Sequence, residues 1–257
     1  MSNFEQETAG RIAANGSDSE LRETAKAFME ASLRNQYSYN FRWLGRPIIQ
    51  YPQDIVGMQE LIWRVRPDLI IETGIARGGS LIFSASMLAL LDMADAIENG
   101  DHINISGNAK RMVLGIDIDI REANRLAIEA HPMAGRIRMI QGSSIAPEVI
   151  EQVRDIAASY KRVLVCLDSN HTHNHVLAEL EAYASLTTVD SYCVVFDTIV
   201  EHMPDELSAN RPWAKGDNPK TALLDFIGRH PEFEIDKSIE NQLMITVAPG
   251  GYLRRKA

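Results

Sequence analysis

The feature that most constrains this chain is an alternation that starts at residue 68 and continues almost to the C-terminus. Short apolar runs, "DLIIET" (68–73), "RMVLGID" (111–117), "RIRMIQG" (136–142), "RVLVCLD" (162–168) and "SYCVVFD" (191–197), are each followed by a helix-like stretch. Those stretches are "SLIFSASMLALL", "REANRLAIEA", "APEVIEQVRDIAASY", "HNHVLAELEAYASL" and, after a long polar segment, "PKTALLDFIGR". Strands that are apolar on both faces need helices on both faces, and helical crossovers make neighbouring strands parallel. The last two runs, "EFEID" (232–236) and "QLMITVA" (242–248), are separated by a short polar link. A link of about five residues is too short for a crossover, so these two are expected to be antiparallel. The expectation is an α/β doubly wound, seven-stranded sheet, mostly parallel, with an antiparallel C-terminal hairpin.

An N-terminal helical extension precedes this sheet. Residues 18–35 carry apolar positions at Leu21, Ala25, Phe28, Met29 and Leu33, the spacing of an amphipathic helix. An aromatic connector, "QYSYNFRWLGRPIIQYP", is too irregular for one element, and helical periodicity resumes over 54–65. The chain therefore divides into an extension and connector (1–53) and a main domain (54–257). Residues 96–110, "AIENGDHINISGNAK", read as an exposed loop.

Charge and apolar patterning exclude several partners. Acidic residues number 35 against 26 Lys plus Arg, and the only basic cluster is the short tail Arg254, Arg255, Lys256. Nucleic acid is therefore not expected. No apolar run approaching a membrane span stands out, and "MSNFEQETAG" lacks the pattern of a secretory signal. Cys166 and Cys193 both lie in strand-like runs, which suits a reducing, cytoplasmic setting.

The turns after the strands carry the chemistry. "ETGIARGGS" (72–80) supplies Glu72, Thr73, Gly74, Ala76, Arg77, Gly78, Gly79 and Ser80 as cofactor-facing residues. Its glycines permit a sharp turn and close approach of a ligand to the backbone, and the helix start offers N–H groups. The spacing G-x-x-x-G-G is not the dinucleotide fingerprint, and no P-loop follows any strand. "GIDID" ends the second strand with Asp117, or alternatively Asp119, placed to accept ribose hydroxyls. "QGSS" adds Gly142, Ser143 and Ser144 at the same edge, with plain helix capping as the competing reading of the serines. Together with the terminal hairpin these favour S-adenosylmethionine over NAD or ATP.

The densest polar stretch is "CLDSNHTHNHV" (166–176). Asp168 ends the fourth strand and His171 sits in the following turn, where an imidazole can accept a proton from an alcohol. His173 and His175 fall at a helix start and read as solvated. "VVFDT" brings Asp197 to the same edge, and Asp168, Asp197 and Asn170 form an oxygen-rich set that suits Mg²⁺. The loop 198–218 is long enough to act as a lid, with Arg211 and Trp213 placed to hold a sugar ring. Tyr39, with Tyr37, Phe41 and Trp43, is expected to cover the acceptor or to form an oligomer contact.

The motifs "IIETGIARGGSLIFSASML", "GIDIDI", "LDSNHTHNHVLAELEAYA", "SYCVVFDT", "RPWAKGDNPKTAL" and "PGGYLRR" resemble the cephalosporin hydroxylase and rhamnosyl O-methyltransferase family across roughly residues 40–255. The resemblance implies a class I methyltransferase (Rossmann-like) fold that binds S-adenosylmethionine, with a Mg²⁺ site. It also implies an Asp-x-x-His turn, matched here by Asp168 and His171, with His171 as base and Asp197 as a second metal carboxylate. The implied acceptor is a small molecule, a sugar hydroxyl of a surface polysaccharide precursor or glycosylated natural product, and a homo-oligomer is expected. The chain departs from the better-known members at Asn170, where they carry Asp, and at Phe196, where they carry Glu. Two other readings remain: a metal-dependent hydroxylase built on an iron triad, and a non-catalytic nucleoside-binding protein.

Overall fold

The computed structural model of the chain describes residues 2–101 and 110–257. Helices α1 (Asn3–Ser17) and α2 (Ser19–Arg34) lead into a small antiparallel pair, β1 (Phe41–Trp43) and β2 (Arg46–Ile48), followed by α3 (Pro52–Val65). The alternating part begins with β3 (Leu69–Thr73), α4 (Gly79–Asn99), β4 (Met112–Asp117) and α5 (Glu122–Glu129). It continues with β5 (Ile137–Gln141), α6 (Pro147–Ala157), β6 (Val163–Leu167), α7 (His173–Tyr183) and β7 (Tyr192–Val195). The C-terminal part consists of α8 (Pro219–Arg229), β8 (Phe233–Ile235), α9 (Lys237–Leu243) and β9 (Tyr252–Arg255).

The seven long-range strands form one sheet in the order β5-β4-β3-β6-β7-β9-β8. All pairings from β5 to β7 are parallel, and β9 is antiparallel to both β7 and β8. The expected architecture is therefore present: a doubly wound, mostly parallel sheet with an antiparallel C-terminal pair. Its last strand is not where the apolar pattern pointed. Residues 237–243 are helical, and the second strand of the pair is Tyr252–Arg255, inserted between β7 and β8. "QLMITVA" is apolar because its second half is a buried turn, with Thr246, Val247 and Ala248 packed inside. Burial writes the same composition into a turn as into a strand.

Two cores flank the sheet. Ile70, Val113, Cys166 and Val194 face a layer built by α3 and α4, whereas Leu69, Ile71, Val165 and Val195 face α6, α7 and α8. All five residues of β3 are buried, as expected of a central parallel strand covered on both sides. The extension joins the first layer. Met29, Ile48 and Tyr51 are buried there, Tyr51 Oη and Ser32 Oγ form a 2.8 Å hydrogen bond, and Trp43 Nε1 donates to Ser86 Oγ at 3.0 Å.

Three further points differ from expectation. Helix α4 is long and apolar enough to cross a membrane by length and composition, although no such run was anticipated. In the fold it buries Leu81, Ile82, Phe83, Leu88 and Leu91 in the core. It also runs to Asn99, so the first part of the anticipated 96–110 loop is helical, while residues 102–109 lie outside the described residues. Helix α1 was not anticipated because it buries no residue and so has no apolar period; a capping box between Ser2 and Glu5 starts it.

Candidate active site

The ends of β3, β4 and β6 are in register, with Thr73 opposite both Ile116 and Leu167. The turns that follow therefore emerge at one edge of the sheet, where the strand order reverses about β3, the usual ligand crevice of an open α/β sheet. The Gly-rich turn lies directly against the turn after β6. Gly74 has φ +90°, and a Cβ there would sit 2.0 Å from the Asp168 carbonyl oxygen, so only glycine fits. Ala76 also adopts a left-handed φ of +47°. The turn is held in shape by Asp117, whose Oδ2 accepts from Ile75 N at 2.8 Å and Ala76 N at 3.2 Å.

The cofactor-facing set divides by environment. Asp117 also accepts from Asp119 N through Oδ1, so it is a structural brace as well as a ribose candidate, while the Asp119 side chain is exposed beside Arg121. Thr73 is fully buried and its hydroxyl accepts from Asp168 N, which ties β3 to the next turn. Glu72 is buried and accepts from Ser80 Oγ; burial raises its carboxyl to about 7. Arg77 is exposed, and its carbonyl accepts from Arg46 of the β1–β2 hairpin, which is thereby fastened over the turn together with Gly78 and Gly79 at the start of α4. Gly142 and Ser143 are partly exposed beside it, whereas Ser144 is buried.

Asp168, His171 and Asp197 converge. One ligand atom from each lies within 4.8 Å of the others, and His171 Nδ1 is 3.1 Å from Asp197 Oδ2. Asp197 takes a left-handed φ of +55° at the start of its turn, a strained value for a non-glycine residue at a site. The Asp168 carboxyl is pushed well above its usual range, first by burial and then by the charges of Asp197, Glu72, Glu179 and Asp54. Every one of those neighbours is an acid. Carboxylates gathered in a partly dry place, with no lysine or arginine among the leading influences on Asp168, could hold a cation.

Asn170, expected beside this cluster, is engaged within its own turn. Its Oδ1 accepts from Thr172 N at 2.9 Å and from Thr172 Oγ1 at 2.8 Å, shaping the entry to α7. His173 and His175 are not solvated as expected. His173 Nδ1 meets Thr221 Oγ1 at 2.9 Å and its backbone N donates to Asp217 Oδ1 at 2.7 Å. His175 Nε2 meets Ser144 Oγ at 3.0 Å and Ser169 Oγ at 3.3 Å. With both rings engaged elsewhere, the two-histidine, one-carboxylate arrangement of an iron triad is not assembled among the described residues.

The 198–218 segment covers the cluster. Trp213 lies against His171, ring centroids 4.6 Å apart, and the Arg211 guanidinium sits over Trp213 at 5.4 Å. Glu201 braces the segment by accepting from Gly216 N and Asn218 Nδ2, at 2.9 and 2.5 Å. Tyr39, in contrast, is 55% exposed, and its connector neighbours Tyr37, Phe41 and Trp43 pack on the first core layer instead. Beneath the turns lies a cavity of about 20 Å³, room for one water, with Glu72, Ser80 and Asp168 at its polar end and Ile48, Phe83 and Phe196 among its apolar walls.

Two buried acids escaped the sequence reading. Asp54, wholly buried in the first turn of α3, accepts from Thr246 Oγ1 at 2.5 Å and Val247 N at 3.0 Å, and burial raises it to about 7. Glu179 on α7 accepts from Ser169 Oγ at 2.6 Å. Both lie at helical positions where an acid normally reads as solvated, so only their partners reveal them.

Comparison with known proteins gives a consistent picture. The profile described as Rhamnosyl O-methyltransferase/CmcI matches residues 35–256. A rhamnosyl O-methyltransferase of Mycobacterium leprae (strain TN) is 27% identical over 216 residues, covering 83% of this chain and 82% of that protein. A CmcI structure with Mg and SAM superposes with a TM-score of 0.54 at 18% identity, covering 85% of this chain and 78% of that one. The apo structure of CalS11, a TDP-rhamnose 3'-O-methyltransferase, gives 0.51 at 15% identity over 99% and 95% of the two chains. At these identities the two superpositions speak for the shared fold.

Proposed function

The chain belongs to the Rhamnosyl O-methyltransferase/CmcI family, and from that membership we propose that it methylates a sugar hydroxyl with His171 as the base. The enzyme is an S-adenosylmethionine-dependent O-methyltransferase. The finer reading names its acceptor as a deoxyhexose, of the rhamnosyl kind that its curated relatives are named for.

One observation carries the reading: the convergence of Asp168, His171 and Asp197 beside the Gly-rich turn, with Asp168 surrounded by other acids. S-adenosylmethionine supplies an electrophilic methyl on a sulfonium, a cation that such a carboxylate-rich edge attracts. Glu72, Gly74, Gly78, Gly79 and Ser80 line its approach on one side, and Asp117 or Asp119 and the 142–144 turn line it on the other. A divalent cation held by Asp168 and Asp197 would neutralise both carboxylates and polarise an acceptor hydroxyl. The donor set fits such an ion, since both carboxylates are hard oxygen ligands.

The remaining work falls to side chains of this chain. With Nδ1 3.1 Å from Asp197 Oδ2, His171 would turn Nε2 to the acceptor and take the hydroxyl proton there as the oxygen attacks. Asp197 fixes the ring and stabilises the imidazolium that forms, as a carboxylate does for any paired histidine base. Trp213, tilted at 55° against the His171 ring, offers its other surface and edge to the apolar face of a sugar, and Arg211 stands beside it as a donor. The lid excludes water from the sulfonium, and in-line positioning supplies most of the rate. Residues 1–53 act in this reading as an extension that closes over the donor turn through Arg46 and Pro47.

The test is transfer of labelled methyl from S-adenosylmethionine to a panel of rhamnosides and nucleotide-linked deoxyhexoses, with and without Mg²⁺. The expected result is metal-stimulated transfer to one of them, with His171→Ala reducing turnover by ~10²-fold or more while S-adenosylhomocysteine still binds. A His171→Ala enzyme with full turnover would remove the base from the mechanism.

A further inference from the structure

Helix α7 carries His175, Glu179 and Tyr183 at four-residue intervals, which places all three on one face. That face is turned toward the site. Glu179 is 0% exposed, and its Oε1 accepts from Ser169 Oγ at 2.6 Å. Ser169 is the residue after Asp168, inside the turn that carries His171. One turn of helix earlier, His175 Nε2 lies between Ser169 Oγ (3.3 Å), Ser144 Oγ (3.0 Å) and Glu179 Oε1 (3.5 Å). One turn later, Tyr183 Oη donates to the Ser144 carbonyl. The stripe thus grips two separate turns, the one after β5 and the one after β6.

We infer that His175 and Glu179 are positioning residues that lock the turn carrying Asp168 and His171 to the turn carrying Ser143 and Ser144. The inference rests on the reading of the 142–144 turn as donor-facing and extends it: the catalytic turn is set from the donor side through α7. Three physical facts support it. Glu179, Ser144 and Tyr183 are buried and His175 and Ser169 half-buried, so the hydrogen bonds among them are costly to lose. Glu179 Oε2 is buried without a partner among the described residues, so this carboxylate is retained at a cost in solvation. Its carboxylate is also linked directly to the reacting edge, since Ser169, which donates to it, is the residue next to Asp168. Packing alone would be met by an apolar residue at 179.

The test needs no acceptor. Hydrogen exchange is followed at residues 168–172 in the full chain, where Asp168 N and Thr172 N are hydrogen-bonded. Ser144→Ala, remote in sequence, is expected to speed exchange there by ~10-fold while the thermal midpoint changes little. Glu179→Gln keeps an acceptor for Ser169 and should stay near the wild type, whereas Glu179→Ala should match Ser144→Ala. Exchange at 168–172 that ignores Ser144→Ala overturns the inference, as does a Gln variant no better than Ala. Should Glu179→Ala not fold, Ser144→Ala and Ser169→Ala form a double-mutant cycle; non-additive effects on exchange are expected, and additive ones overturn the coupling. Titration with S-adenosylhomocysteine separates the two readings. A wild type that fails to bind it removes the donor reading, and binding with uncoupled exchange removes only the α7 lock.

Discussion

His171 Nδ1 and Asp197 Oδ2 lie 3.1 Å apart, joining the turns that follow two adjacent parallel strands, β6 and β7. Asp168 and the Trp213 ring both neighbour the pair. A carboxylate this close to one imidazole nitrogen orients the ring, and the proposed proton abstraction would use the other nitrogen.

The carboxylate cluster should trade stability for ligand affinity. Replacing Asp168 by Asn removes a buried charge that faces other acids, so the ligand-free protein should melt about 2–4 °C higher. The same change should weaken Mg²⁺ or Mn²⁺ binding by more than ~10-fold, because ligand charge sets affinity at such sites. Differential scanning fluorimetry and calorimetric titration check the two halves, and a lower midpoint would contradict the repulsion argument.

Asp54 and Glu72 make stability fall as pH rises. Both carboxyls are raised by burial, to about 7 in each case, so the folded chain keeps protons that the unfolded chain has already released. Stability from these groups is therefore full below about pH 4 and is lost as pH climbs toward about 7, on the order of 3 kcal/mol each. The midpoint of the ligand-free protein, measured from pH 5 to 8, should decline. Asp54→Asn and Glu72→Gln should flatten the decline.

Gly74 and Gly228 should respond oppositely to alanine. At 74 the new methyl would meet the Asp168 carbonyl in a left-handed backbone, with a cost of more than ~3 kcal/mol and loss of donor binding. At 228, in the last turn of α8, nothing lies within 4 Å, so alanine should add ~0.5 kcal/mol through helix propensity. Chemical denaturation of the two variants measures both signs.

Trp213→Ala should separate acceptor from donor. The ring contacts His171 and lies under Arg211, with no part in the Gly-rich turn. Binding of S-adenosylhomocysteine should stay within about twofold, while the KM for the sugar acceptor rises by ~10-fold, the worth of one stacking contact. Equal losses in both would show that the lid also holds the donor.

What the sequence determined by itself was whatever depends on local periodicity and on the order of elements. The apolar runs ending at Thr73, Asp117, Gln141 and Leu167 were legible because a central strand must be apolar on both faces, and their C-terminal turns had to share one edge. That logic placed Asp168, His171 and Asp197 at one edge of the sheet, where they converge. Tertiary structure decided everything that depends on a partner distant along the chain. "QLMITVA" became a helix end and a buried turn because Asp54, far away in sequence, satisfies Thr246 and Val247. Asn170 turned toward Thr172, and His175 turned inward to Ser144 and Ser169. A side chain's composition reports that it is polar; which atom satisfies it, and so whether it faces solvent, a ligand or the core, is settled by packing between elements that the local pattern does not encode.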